Sequence, residues 1–171
     1  DTGDIIDQRT IKIDILDSYG DLFHKLKKIG ADLILNTVNN IISRKINLKP
    51  QTNTPNLNSA NKLNKENCRI DWSMNTSNIY NKIRGLSPFP GANCFLVHGN
   101  ETLKIIIYSS RIEIETHQLD SGLIIIEKKQ IKIATKDGFL IPQEIKVQGK
   151  KSMKISDLMN GFKFDLSSKF I

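Results

Sequence analysis

Ala92-Asn93-Cys94-Phe95-Leu96-Val97-His98-Gly99-Asn100-Glu101-Thr102-Leu103-Lys104-Ile105-Ile106-Ile107-Tyr108 holds two short apolar runs parted by a His-Gly-Asn turn signal. Runs of this length around such a turn predict a β-hairpin. The pattern continues downstream, with Arg111–Glu115, Gly122–Glu127, Gln130–Thr135, the Lys136-Asp137-Gly138 turn and Phe139–Val147. Five or six strands at this spacing predict a small antiparallel barrel or sandwich. A last helix is expected over roughly 155–161, entered through Lys154-Ile155-Ser156.

Working upstream, Ser87-Pro88-Phe89-Pro90-Gly91 cannot continue a helix. It ends one whose apolar stripe is Ile79, Ile83 and Leu86 and whose cap is Ser73 or Asn75. Residues 46–67 are rich in Asn, Thr, Pro and Lys without periodicity and read as a linker. Before it, Leu22, Leu26, Ile29, Leu33, Ile34, Val38, Ile41 and Ile42 recur at three-and-four spacing. That is an amphipathic helix capped by Asp17 or Ser18, with Gly30 as a point of bending or interruption. Residues 4–15, with Ile5, Ile6, Ile11, Ile13 and Ile15, predict a strand that feeds it. Strand plus helix predicts the end of an α/β unit packed on a sheet. The reading is therefore an α/β segment over 1–45, a linker over 46–67 and a β domain over 68–171. A chain that opens at Asp1 on a strand-like run is expected to be a fragment.

The net charge of +7 lies entirely in residues 49–171, where eighteen Lys and Arg face eleven Asp and Glu; residues 1–48 carry seven of each. A basic back half favours a polyanionic partner, although a solubilising lysine surface has the same composition. Lys82, Arg84, Lys150, Lys151 and Lys154 stand nearest to structured turns, and Gly149-Lys150-Lys151-Ser152 is a turn suited to phosphate contacts. Lys104, Lys132 and Lys146 occupy alternate strand positions and predict a basic sheet face. Trp72 is the single tryptophan, expected to anchor the second domain's core rather than to stack on a base.

Cys68 and Cys94 have no CxxC spacing and read as unpaired thiols of a reduced cytoplasmic compartment. No apolar run approaches the ~20 residues of a membrane helix. His24, His98 and His117 lack metal-ligand spacing, so no metal is expected. No Ser-His-Asp set or glycine-rich phosphate loop occurs. Asp1-Thr2-Gly3-Asp4 could supply an acid/base carboxylate beside a close backbone turn, but by itself reads first as a plain polar turn.

Four stretches together resemble one family. Asp1-Thr2-Gly3-Asp4-Ile5 is similar to a segment of formyltransferases that use 10-formyltetrahydrofolate, and Leu22–Leu26 with Ile29-Gly30-Ala31 to the helix after it. Lys62-Leu63-Asn64-Lys65-Glu66-Asn67-Cys68-Arg69-Ile70-Asp71-Trp72-Ser73 resembles the interdomain signature, and Ile83–Ala92 the segment that follows. Gly149-Lys150-Lys151-Ser152-Met153 with Asp157-Leu158 resembles the methionyl-tRNA formyltransferase branch. Ser59 departs from a usual tyrosine. Phe89 stands where a Trp is common between the prolines and is expected to keep its packing. Residues 139–148 diverge most.

The resemblance implies a Rossmann-like catalytic domain ending at 1–45 and an OB-like C-terminal barrel that binds tRNA on a basic surface. It implies formyl transfer from 10-formyltetrahydrofolate, as co-substrate, to the amino group of methionyl initiator tRNA. The enzyme would be a monomer of the bacterial cytoplasm, needing no metal. Of the family's catalytic Asn, His and Asp, the Asp matches Asp1, and the other two would lie upstream. Lys65, Arg84, Lys150 and Lys151 would contact tRNA phosphates. A related enzyme acting on an amino-sugar nucleotide shares the Ile-Asp-Trp and Pro-x-Pro-Gly signatures, but has no need of so extended a basic surface. A non-catalytic OB-type RNA-binding module is the other alternative. The purified 171-residue chain is expected to transfer no formyl group in a single-turnover assay with methionyl-tRNA and formylated folate; measurable transfer would overturn that reading.

Overall fold

The computed structural model describes residues 2–51, 58–165 and 167–171. Asp1 lies outside them, as does the middle of the expected linker. The chain divides into two compact units, Asp1–Lys62 and Leu63–Ile171.

The first unit is built on helix α1 (Tyr19–Ile42). Ser18 caps it in a reciprocal box. The Ser18 hydroxyl accepts the Asp21 N–H at 3.2 Å, and the Asp21 carboxylate accepts the Ser18 N–H at 3.0 Å. Lys25 ties the helix to the preceding turn through Asp17 at 2.7 Å and Asp14 at 3.1 Å. The helix runs through Gly30 without interruption.

The expected strand over 4–15 does not form. Only Ile5 exchanges backbone bonds with a neighbour, Lys49, at 2.8 and 2.9 Å. Alternating Ile residues favour an extended chain, but a strand needs a paired edge for its N–H and C=O groups, and Ile6–Ile13 have none among the described residues. Arg9 and Thr10 instead line a cleft with Ile29 and Leu33 of α1. Among the described residues, this unit also holds no sheet under the helix. No residue of α1 is buried, and Leu26, Val38 and Ile41 remain 45–47% exposed.

In the second unit, helix α2 (Thr76–Leu86) covers a curled antiparallel sheet. The strands are β1 (Ala92–His98), β2 (Glu101–Ile114), β3 (Ile124–Glu127), β4 (Gln130–Ala134), β5 (Gly138–Val147), β6 (Ser152–Lys154) and β7 (Lys169–Phe170). Helix α3 (Ile155–Gly161) follows β6 as expected. The strand order is β3-β4-β5-β2-β1-β7, with β6 paired to β5. Leu123 bridges Lys169, and the Phe170 N–H donates to the Gly122 carbonyl at 2.9 Å, so the two ends of that order meet.

Two expected strands, 103–108 and 111–115, are one. β2 runs through Ser109-Ser110 with register shifts against β5. Pro142 faces Ser110 there and has no N–H to donate, so the ladder slips without ending.

The core takes alternate residues of the sheet, Cys94, Leu96, Ile105, Ile107, Ile133, Leu140 and Ile145, together with Ile79 and Ile83 of α2 and Leu158 of α3. Trp72 is 4% exposed, with its ring 5.5 Å from that of Phe170, and so anchors the core as expected. Its Nε1 and the Ser110 hydroxyl are buried without a hydrogen-bond partner among the described residues. Both cysteines are buried and unpaired, and burial pushes the Cys94 thiol far above its usual range.

Asn75 holds the N-cap position of α2, but its side chain makes no capping bond. Asp137 does that work from the β4–β5 turn. Its Oδ1 accepts both the Thr76 N–H and the Thr76 hydroxyl at 2.7 Å. The Thr76 N–H, then its hydroxyl, hold the Asp137 carboxyl below the ordinary range. A carboxylate at a helix N-terminus also faces the positive end of the helix dipole. Asp137→Ala should therefore lower stability by about 1 kcal/mol in urea unfolding at pH 7. The stabilisation is complete above the ordinary Asp range and fades as pH falls through the lowered folded value, so the gap between the two proteins should narrow below about pH 4.

Candidate nucleic-acid interface

The outer face of the sheet follows from register. Phe95 pairs with Lys104, while Asn93 and Lys146 both lie opposite Ile106, so these five side chains share the face away from the core. Ser152 and Lys154 of β6 extend it, with Glu144 opposite Lys154 as the acidic member. The Arg69 guanidinium sits 5.2 Å above the Phe95 ring.

Lys65 reaches this face by a built turn. Asn64 and Asn67 exchange side-chain-to-backbone bonds at 2.8 Å, closing the turn around it. The chain then runs parallel to β1: the Asn93 N–H donates to the Cys68 carbonyl at 3.0 Å and the Ile70 N–H to the Asn93 carbonyl at 2.8 Å. The buried Asn93 side chain completes the clamp, its Nδ2 donating to the Lys65 carbonyl at 3.0 Å. Lys65 and Lys104 thereby line one pocket of about 240 Å3, walled by Pro90, Gly91 and Ile106.

The basic hairpin continues from the same place. The Gln148 N–H donates to the Lys104 carbonyl at 2.9 Å, and the Lys150 N–H to the Val147 carbonyl at 2.9 Å. Gly149 takes φ +77°, which the third position of a type II turn requires. Lys150 and Lys151 are exposed. Lys65 and Lys104 thus share one pocket, and the turn that carries Lys150 and Lys151 is joined to the Lys104 backbone through Gln148.

Arg84 does not line that pocket. It stands on α2, which packs on the core face, with its Nε donating to Asn81 at 2.8 Å and its guanidinium 5.9 Å from the Tyr80 ring. The expected basic face over Lys104, Lys132 and Lys146 is also smaller than its spacing suggests. Lys132 is held between Glu113 at 2.9 Å and Glu127 at 3.1 Å, and Glu113 first, then Glu127, raise its pKa. Its charge is spent locally.

Asp71 folds back on Ser73, its Oδ1 accepting the Ser73 hydroxyl at 2.6 Å and N–H at 3.0 Å. The Ser73 hydroxyl, then its N–H, hold the Asp71 carboxyl below the ordinary range. Asp71 is thus a turn residue that lets Ile70 and Trp72 point inward. Phe89 does not retain the packing expected of an aromatic there: it is 78% exposed. Arg69 went unnoticed in the sequence, although alternation among the buried Cys68, Ile70 and Trp72 already turns it outward. Among the described residues, no three His, Cys, Asp or Glu side chains are placed to hold a metal ion, and no helix is long and apolar enough to cross a membrane.

Residues 62–163 match the family model described as "Formyl transferase, C-terminal domain". The methionyl-tRNA formyltransferase of Flavobacterium johnsoniae is 38% identical over 169 residues, which cover 99% of this chain and 54% of that protein. The chain spans about half the length of the curated relatives it matches. HypX from Aquifex aeolicus superposes with a TM-score of 0.65 at 17% identity, over 96% of this chain and 30% of that one. An N-formyltransferase from Helicobacter canadensis, solved with folinic acid and dTDP-3-aminofucose, gives 0.57 at 24% identity, over 82% and 49%. These two likenesses concern the fold.

Asn93→Ala would leave the Lys65 carbonyl without its donor and free the turn. The expected outcome is a loss of about 1 kcal/mol in chemical unfolding, with faster amide exchange over residues 64–68. Unchanged exchange there would refute the clamp.

Proposed function

Since this chain belongs to the formyl transferase C-terminal domain family, we propose that it is the part of a methionyl-tRNA formyltransferase that holds the tRNA. In this reading residues 68–171 are an OB-like tRNA-binding domain, 46–67 the linker and 1–45 the end of the catalytic domain. The parent reaction moves the formyl group of 10-formyltetrahydrofolate to the amino group of methionyl initiator tRNA. The amine attacks the formyl carbon, a tetrahedral oxyanion forms, and folate N10 leaves with a proton. Asp1 would orient the proton-transferring group. The folate co-substrate is supported by the folinic acid bound to the Helicobacter canadensis relative.

The observation that carries the proposal is the pocket shared by Lys65 and Lys104, with the Lys150–Lys151 turn tied to the Lys104 backbone through Gln148. Several cations on joined segments suit a run of phosphates, and a small sugar nucleotide would use only one or two of them. Arg84 is assigned a separate phosphate contact from α2. The meeting of Gly122 and Leu123 with Lys169 and Phe170 supports the OB-like description, since a barrel needs its two edges to join. Such phosphate contacts hold and orient the RNA without choosing its sequence.

The test is a titration of the chain with initiator methionyl-tRNA across a series of salt concentrations, with a nucleotide sugar as competitor. Affinity should fall with salt, with a log–log slope that flattens by about 0.7–0.9 for each of the four lysines changed to Ala, and the sugar should not compete. Binding that is independent of salt, or displaced by the sugar, would overturn the proposal.

A further inference from the structure

Phe89 is a large apolar side chain held out into solvent by a rigid frame. Leu86 and Ser87 before it are buried, and the Gly91 N–H donates to the Leu86 carbonyl at 2.8 Å, closing the loop. Gly91 lies so close to the sheet that a Cβ would stand 2.4 Å from Ile106 Cγ2 and 3.0 Å from Tyr108 Cε1, and its φ of +83° independently favours glycine. Pro88 and Pro90 fix their own φ on either side of the aromatic. The ring is therefore presented with little backbone freedom to lose on binding.

The surroundings indicate the ligand's chemistry. Pro90 and Gly91, the next two residues, wall the pocket that Lys65 and Lys104 share. A stiffly held, 78% exposed ring next to a pocket lined by two lysines offers a face for a planar base and charges for the phosphates joined to it. A duplex presents its phosphates but keeps its bases stacked within the helix, so it fits only half of this arrangement. Arg69 above Phe95 occupies one ring of the outer sheet face, whereas Phe89 is 78% exposed.

We propose that Phe89 is a stacking platform for an unpaired nucleobase of the bound tRNA, seated while its neighbouring phosphates lie along Lys65 and Lys104. This rests on the tRNA-binding reading above and adds a residue that acts by stacking and not by charge.

The experiment compares the chain with Phe89→Leu, Phe89→Trp and Lys65→Ala, titrated with tRNA, a single-stranded RNA oligonucleotide and an RNA duplex of equal phosphate number. Phe89→Leu should weaken binding to tRNA and to the single strand about 5- to 150-fold, with an unchanged salt slope and unchanged duplex affinity. Phe89→Trp should restore or exceed the original affinity, whereas Lys65→Ala should flatten the salt slope for every ligand. Because the side chain is exposed, the melting temperatures of both Phe89 variants should match that of the original chain. If the original chain binds tRNA and Phe89→Leu binds it equally, the stacking role is overturned, the tRNA reading stands, and Phe89 is left to a protein contact. If the original chain binds no tRNA at any salt, both fall together.

Discussion

Backbone groups at the edge of a strand must find partners, and at Asn93 of β1 that need is met by the chain just upstream. The N–H of Asn93 donates to Cys68, and its carbonyl receives the Ile70 N–H. This short parallel pairing sets everything near it. It points Cys68, Ile70 and Trp72 into the core, and it turns Arg69 outward over Phe95. With the Asn93 side chain, it holds Lys65 beside Lys104. Burying the indole removes on the order of 200 Å2 from water, so the segment that carries the outer cation is fastened by the largest apolar side chain in the unit.

The two faces of the sheet thus have separate tasks joined through one backbone. Inner residues of β1, β2 and β5 build the core with α2, while the outer residues opposite the same ladder carry charge. Net charge overstates what that surface offers a polyanion. Lys132 is held by two carboxylates, and Glu144 stands opposite Lys154. Lys65 and Lys104 share a pocket, and Lys150 and Lys151 follow on a turn joined to the Lys104 backbone. That turn is completed by a residue tolerating positive φ, here Gly149.

The first unit is incompletely covered. Its helix is well started, by the Ser18–Asp21 box and the Lys25 ion pairs, yet its apolar stripe meets no sheet among the described residues of the unit. Local signals and tertiary partners are separable here. Capping and periodicity suffice to place a helix, whereas a strand exists only with a neighbour.

Sequence by itself determined what local physics decides. It showed where the helices begin and end, because caps, prolines and three-and-four spacing act within a few residues. It also marked most of the strands of the second unit, because short apolar runs between turn residues are local patterns. Trp72 was legible as a core anchor from its size and its neighbours, and the turn at Gly149 from its composition. Four features came only with the tertiary structure, each from contacts distant in sequence. Asp137 caps α2 across 61 residues. Pro142 turns an apparent break in β2 into a slipped ladder. Two carboxylates on other strands neutralise Lys132. Lys65 joins Lys104 through the side chain of Asn93, 28 residues on. A charge or a hydrogen bond belongs to whichever groups the fold brings within a few ångströms, and spacing along the chain does not carry that information.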